Sequence, residues 1–154
     1  MTKTPLEVIR AILDKPTDLA SVEKLVAPDA TYVSLNHDNP SLKRLMPWAG
    51  TSHDGGRAVV ATYEQVGRYW SNEELTVEDE LETGDRAAVF GRFTYRSKSL
   101  GKIVTSPFAI LARVTDGRVT HMQFMEDTFA TADSFRVGGE AVFRADPDGG
   151  EVVL

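Results

Sequence analysis

The chain of 154 residues contains no cysteine, which excludes disulfides, thiolate chemistry and cysteine-ligated metal sites. It has only three histidines, and none of them follows a metal-binding spacing such as His-Glu-x-x-His. We therefore expect no metal and no cofactor. No apolar run reaches membrane-spanning length, and the first residues lack an apolar signal region. A soluble cytoplasmic protein is the expectation.

An excess of positive charge is also missing, because the formal net charge is −6. Binding to a phosphate backbone needs clustered lysine and arginine, so nucleic acid is excluded as the main partner. The length fits one domain with a single core. We expect a small-molecule partner, no nucleic acid and no membrane.

The first half of the chain has helical signals. Residues Thr4 to Glu7 form a capping box with proline at the first helical position, which predicts a helix that ends at Pro16. Thr17 or Asp18 then caps a second short helix. Residues 31–35 follow as a short strand.

A long connection, residues 36–56, separates this strand from a third helix that begins after Gly55. Connections of this length are usually functional or disordered. Asn39 and Pro40 predict a short helix within it. The large apolar residues of the connection predict a lid or wall beside a pocket: Leu42, Leu45, Met46 and Trp48.

The second half alternates apolar and polar residues, which predicts a meander of antiparallel strands. Helices followed by such a meander indicate an α+β fold in which a curved antiparallel sheet wraps on N-terminal helices. A pocket is expected between the sheet and the helices. We place the domain at residues 1–136 and a C-terminal extension at 137–154.

The last strong strand, residues 118–127, mixes apolar and titratable side chains. Simple alternation puts five of them on one face, namely Val119, His121, Gln123, Met125 and Asp127. Such a row suits the wall of a small pocket, with Gln123 and Met125 contacting a ligand. The alternative is that His121 and Asp127 lie on a solvated edge.

Several strings resemble the nuclear transport factor 2-like superfamily, which includes steroid isomerases and SnoaL-like polyketide cyclases. They are Asp18-Leu19, the segment from Leu25 to Thr31, Pro47-Trp48-Ala49-Gly50 and Asp116-Gly117-Arg118-Val119. The resemblance covers about residues 5–135. It implies a cone-shaped α+β roll of the cystatin-like type, with an internal pocket and usually a homodimer.

The resemblance does not extend to steroid-isomerase residues. The position of the family's catalytic carboxylate holds Ser34, its tyrosine position falls at about Arg10, and its protonated aspartate falls near Ile110. A serine cannot shuttle a proton at neutral pH as a carboxylate does. We therefore predict no steroid isomerase activity.

SnoaL-like cyclases and related dehydratases imply an acid/base residue near the end of the last strand. Asp127 occupies this region, or Glu126 if the register slips, and Asp127 could instead cap the helix that follows. His121 and His37 are further acid/base candidates, with surface positions as the alternative.

Three further residues are candidates for contacts with a ligand. Tyr32 and Ser34 could donate hydrogen bonds to a ligand, and Trp48 could stack on it; Tyr32 and Trp48 could equally be core residues. The sequence thus predicts a cofactor-free isomerase, dehydratase or cyclase that uses acid/base chemistry on an apolar carbonyl-type ligand. The alternative is a non-catalytic binding or interaction module of the same fold.

Overall fold

The computed structural model describes residues 2–154. Within this range five helices form, α1 to α5, in chain order: Pro5–Asp14, Leu19–Leu25, Pro40–Leu45, Gly56–Tyr69 and Thr128–Asp133. The same range holds eight strands, β1 to β8: Val26–Ser34, Gly50–Ser52, Trp70–Thr83, Arg86–Ser97, Ile103–Thr115, Arg118–Glu126, Val142–Phe143 and Val152–Val153. None of these helices is long and apolar enough to span a membrane.

The N-terminal helices begin where their capping residues predict. The Thr4 hydroxyl accepts a hydrogen bond from the backbone N–H of Glu7, and the Glu7 carboxylate accepts one from the backbone N–H of Thr4 at 2.8 Å. This reciprocal pair satisfies two donors that the first helical turn leaves free. At α2 the Asp18 carboxylate caps the backbone N–H of Ser21. Both predicted helices are confirmed.

Six strands form one curved sheet in the order β2-β1-β6-β5-β4-β3. Strands β3 to β6 make the predicted antiparallel meander, and the α+β fold class is confirmed. One pairing departs from the prediction of an antiparallel sheet, because β1 runs parallel to β6. Helices α1, α2 and α4 lie over its inner face.

An extra residue in β6 changes which side chains face the core. Val114 of β5 pairs with Val119, but the next residue back, Arg113, pairs with His121. Thr120 is therefore a β-bulge, and a bulge displaces the alternation by one residue. The predicted inward row is wrong beyond Val119, since the inward side chains are instead those of Met122, Phe124 and Glu126.

The core has two parts. The larger part lies between the inner sheet face and helices α1, α2 and α4, and includes the fully buried Ile9, Ile12 and Phe93. The smaller part surrounds Trp48 and Trp70, near the connection between β1 and α4. Both parts contact Tyr95, so the junction between them is bordered by aromatic side chains.

The last two strands form a hairpin after the main sheet. The backbone N–H of Ala141 donates to the carbonyl of Leu154 at 3.0 Å, and the reverse bond measures 2.9 Å. Phe143 of this hairpin lies edge-on to Phe129 of α5, with ring centres 6.3 Å apart. The C-terminal segment is thus ordered against the end of the domain that carries α5.

Candidate active site

An inner cavity lies at the junction of the two core parts. Six aromatic residues from separate elements form most of its wall: Tyr32, Trp48, Tyr63, Trp70, Tyr95 and Phe124. The remaining lining residues are Ser34, Leu35, Thr62, Val66 and Glu126. About 20 Å³ is open to the centre of a water molecule, which is enough room for about one water. The wall is therefore mostly apolar, with a few polar groups.

A groove of about 380 Å³ adjoins this cavity on its outer side. The two spaces share Tyr32, Trp48 and Thr62 as a common wall. Lys43, Asp54 and Arg57 bring charges of both signs to the groove, and Arg57 is paired with Glu23 at 3.4 Å. The groove is more polar than the cavity.

The connection after β1 covers the cavity, and its residues agree in part with the lid that the sequence predicts. The Asn39 side chain caps α3 by accepting from the backbone N–H of Leu42 at 3.0 Å. Met46 and Trp48 are buried, and Trp48 packs edge-on against Trp70 with ring centres 5.3 Å apart. Leu45 differs from the expectation because it is about half exposed. The cover is formed by the residues after α3 more than by α3 itself.

Glu126 is the one acidic residue of the cavity wall. Its nearest donor is the Thr131 hydroxyl, 3.5 Å from Oε1. That hydroxyl lies closer to the Asp127 carbonyl oxygen, at 3.1 Å, and a hydroxyl donates only one hydrogen. None of the ion pairs formed within residues 2–154 includes Glu126. If Glu126 were ionised, its negative charge would therefore have few hydrogen-bond donors and no cation to stabilise it.

This environment favours the protonated carboxyl. Burial, reinforced by the negative charge of Asp127 and opposed by the Thr131 hydroxyl, raises the pKa of Glu126 from 4.5 to about 8. Burial disfavours the charged form of an acid, since the cavity solvates an anion less well than water does. Glu126 can therefore release and recover a proton close to neutral pH, which suits a general acid or base.

Three tyrosines line the cavity together with this carboxyl. Burial raises the pKa of Tyr32, Tyr63 and Tyr95, and the charge of Glu126 raises the pKa of Tyr32 and Tyr95 further. At Tyr32 the Ser34 hydroxyl acts in the opposite direction. All three phenols stay neutral and available as hydrogen-bond donors over the working pH range. An apolar cavity with one proton-carrying carboxyl and neutral donors suits proton transfer beside a developing oxyanion.

Asp127 does not face the cavity. Its Oδ1 accepts from the backbone N–H of Ala130 at 3.1 Å and caps α5, as in the alternative that the sequence left open. Its backbone N–H donates to the Ser106 hydroxyl at 2.9 Å, which fixes the end of β6 beside Glu126. The expectation of an inward Asp127 is wrong because of the bulge at Thr120, and its side chain is exposed.

The two candidate histidines also lie outside the cavity. His121 borders a shallow groove on the outer sheet face, where partial burial and the charges of Arg113 and His37 lower its pKa. His37 is exposed in the connection after β1. The expected shared pocket face of His121, Gln123 and Met125 is wrong for the same reason as for Asp127. Met125 borders an outer, apolar groove beside Phe90.

The structure brings together three of the predicted ligand contacts, Tyr32, Ser34 and Trp48. Sequence reasoning missed Tyr63 and Tyr95 and gave Glu126 only as the alternative to Asp127. One signal for Glu126 was present, since it ends a row with Met122 and Phe124 that is more apolar than the other row. At Tyr63 the sequence shows only the helical spacing of an ordinary apolar helix face.

Known proteins share a family with this chain. The family model of the SnoaL-like domain matches residues 10–122. Patulin synthesis protein F of Aspergillus clavatus is 39% identical over 158 aligned positions, which cover 98% of this chain and 79% of the relative. Patulin biosynthesis cluster protein F of Penicillium expansum is 39% identical, with 96% of this chain and 77% of the relative covered.

A solved structure supports the fold independently. The NTF2-like protein of Burkholderia thailandensis superimposes with a TM-score of 0.73 at 20% identity. The match covers 88% of this chain and 99% of that protein. The architecture of a curved sheet on N-terminal helices is thus shared well beyond detectable sequence similarity.

Proposed function

Because this chain belongs to the SnoaL-like domain family, within the nuclear transport factor 2-like superfamily, we propose that it is a cofactor-independent biosynthetic enzyme. It moves protons on a small, uncharged carbonyl compound, and Glu126 is its acid/base residue. The observation that carries the proposal is the Glu126 carboxyl in the wall of an aromatic cavity, with its pKa raised to about 8. The matched pKa supports efficient proton transfer near neutral pH.

The proposed reaction begins at a carbon next to the carbonyl group. The Glu126 carboxylate takes a proton from this carbon, and the C–H electron pair forms a carbon–carbon double bond while the carbonyl π pair moves onto the oxygen. An enolate and a neutral Glu126 result. Neutral phenols of the wall donate hydrogen bonds to the enolate oxygen. Return of the proton to another atom gives isomerisation, while loss of a neighbouring hydroxyl as water, or attack on a second carbonyl, gives dehydration or cyclisation.

The size of the cavity constrains the substrate. Room for about one water is too little for a ring, so a ring substrate needs the wall shared with the groove, which includes Trp48, to open. The adjoining groove of about 380 Å³ then accommodates the rest of the molecule. The names of the two curated relatives, which refer to patulin synthesis, support a small biosynthetic intermediate as the substrate class.

Deuterium exchange tests the proposal without knowledge of the natural substrate. In D₂O near neutral pH, the protein is expected to accelerate exchange of the acidic carbon-bound hydrogens of 2-cyclohexen-1-one, measured by proton NMR. Replacing Glu126 with glutamine should reduce the protein-dependent rate at least about 100-fold, as expected for loss of a general base. The parent rate should increase with pH through about 8, where half of the Glu126 carboxyl is ionised, and should level off about one pH unit higher.

Asp127→Asn provides the matched control, because asparagine caps a helix about as well as aspartate. This variant removes the neighbouring carboxylate outside the cavity and should retain most of the exchange activity. Absence of exchange in the parent protein would contradict the acid/base proposal. Binding of the ketone without exchange would favour the alternative of a non-catalytic binding module.

A homodimer is the second part of the proposal. The outer sheet face exposes large apolar side chains, including Phe90, Leu111 and Met125, and exposed apolar patches commonly mark interaction surfaces. Sedimentation equilibrium should therefore give twice the chain mass of 16.9 kDa, and Leu111→Lys should give the mass of one chain. A monomeric parent protein would rule out this pairing.

A further inference from the structure

One buried hydroxyl has no partner. Among the side chains of residues 2–154, the Tyr63 hydroxyl is the buried polar group that forms no hydrogen bond. Tyr63 lines the inner cavity from α4. Buried polar groups are nearly always hydrogen-bonded, because leaving one unpaired is unfavourable. An unpaired hydroxyl in a cavity wall therefore points to a partner that the chain itself does not supply.

The surroundings of this hydroxyl favour a ligand oxygen as that partner. Its electrostatic neighbours are the phenols of Tyr32 and Tyr95, and these two phenols are also the ones within the field of Glu126. The carboxyl and the Tyr63 hydroxyl thus have the same two phenols as neighbours, and both residues line the one cavity. A small carbonyl compound between them can place its oxygen towards Tyr63 and its acidic carbon towards Glu126.

We infer that the Tyr63 hydroxyl donates a hydrogen bond to the carbonyl oxygen of the substrate and holds the enolate oxygen that forms during proton transfer. The inference rests on the proposed function and assigns the ligand class of this end of the cavity, an uncharged carbonyl compound that becomes an oxyanion. Tyr63 is then a catalytic residue that contacts the reacting group.

The position of Tyr63 suits such a donor. It lies in the middle of a helix of 14 residues, between the cavity residues Thr62 and Val66, so its backbone is fixed. Burial keeps its phenol protonated, and a phenol donates one hydrogen. In a water-poor cavity a hydrogen bond to a developing charge is stronger than in water, and it needs no reorganisation when its donor is already in place.

Binding of 4-nitrophenol provides the test, because its phenolate resembles an enolate oxygen on a ring and its absorbance reports ionisation. Near neutral pH, below the Glu126 pKa of about 8, the neutral carboxyl does not repel the anion. The parent protein is expected to bind the phenolate. Tyr63→Phe should weaken binding about 10- to 100-fold, which corresponds to loss of a hydrogen bond to a charged group.

Stability provides a second readout. Tyr63→Phe should melt at the parent temperature or above it, since the hydroxyl that it removes has no partner in the free protein. Tyr69→Phe is the matched control. Tyr69 lies outside the cavity wall and contacts Trp48 and Phe135 through its ring, which phenylalanine retains. This control should bind the phenolate as the parent does.

Failure of this inference and failure of the proposed function give different results. If Tyr63→Phe binds 4-nitrophenol as tightly as the parent, if the parent does not bind it, or if the variant melts well below the parent, the inference is wrong. If Tyr63→Phe loses binding but the parent catalyses no exchange of the ketone, the donor assignment stands and the acid/base proposal fails. If the parent catalyses exchange and Tyr63→Phe matches it in both assays, the donor assignment alone fails.

Discussion

Replacing Glu126 with glutamine is expected to stabilise the folded protein by about 4 kcal/mol near pH 9 and by little near pH 5. The folded state raises the pKa of this carboxyl from 4.5 to about 8. Between these two values the unfolded chain is ionised there while the folded chain holds the proton. The free energy of unfolding therefore decreases as the pH increases through this window, and the loss is complete above about pH 8. Glutamine stays neutral over the whole pH range, so the variant does not lose this part of the free energy of unfolding.

Urea unfolding of both proteins across this pH range measures the difference. Other ionisable groups affect both proteins alike, so the variant-minus-parent difference isolates Glu126. Glu64→Gln on the exposed side of α4 is the matched control for removal of one negative charge, and its difference should change little with pH. A difference for Glu126→Gln that is independent of pH would show that this carboxyl is not buried as described.

Replacing Gly55 with alanine is expected to destabilise the protein by about 4 kcal/mol or more, from backbone strain together with steric overlap. Gly55 precedes α4 with φ 56° and ψ −130°. Residues other than glycine rarely adopt this backbone conformation. A methyl group there would lie 2.4 Å from the Ala27 carbonyl oxygen and 2.7 Å from that of Pro28. Both contacts are with backbone, which cannot move aside easily.

Gly67→Ala near the other end of α4 is the matched control. No atom lies within 4 Å of its added methyl group, and alanine in a helix is more favourable than glycine by about 1 kcal/mol. Thermal unfolding should therefore shift down for Gly55→Ala and up for Gly67→Ala. A Gly55→Ala protein as stable as the parent would contradict the described start of α4, the helix that carries Thr62 and Tyr63.

The sequence predicts well those features that depend on contacts between residues a few positions apart. The capping box at Thr4 and Glu7, the cap at Asp18 and the short helix after Asn39 each depend on hydrogen bonds between near neighbours. Such bonds form wherever the local residues permit them. The order of these elements then identifies the fold class, because it leaves few ways to cover the sheet.

The face of β6 could not be predicted in the same way. One additional residue, Thr120, exchanges the two rows of side chains, and no glycine or proline marks the position. The consequence for the site is large, since Glu126 takes the place expected for Asp127. Pairing with β5 on one side and β1 on the other accompanies this register, and the contacts with β1 are remote in sequence.

The tyrosine cluster illustrates the same limit. Tyr32, Tyr63 and Tyr95 come from β1, α4 and β4, and each has an ordinary local pattern. The folded chain brings all three into the wall of the cavity that contains Glu126. The missing partner of the Tyr63 hydroxyl is a property of the assembled interior and has no counterpart in the order of residues.

The parallel pairing of β1 with β6 also bears on synthesis of the protein. Tyr32 lies beside Met122 in this pair, so β1 leaves the ribosome about ninety residues before its neighbour. Until then one long edge of β1 has unpaired backbone groups, and such edges are prone to pair with other chains. The cavity wall cannot close before β6 is added. Nascent chains that lack β6 therefore contain most of the aromatic residues of the site but no complete cavity wall.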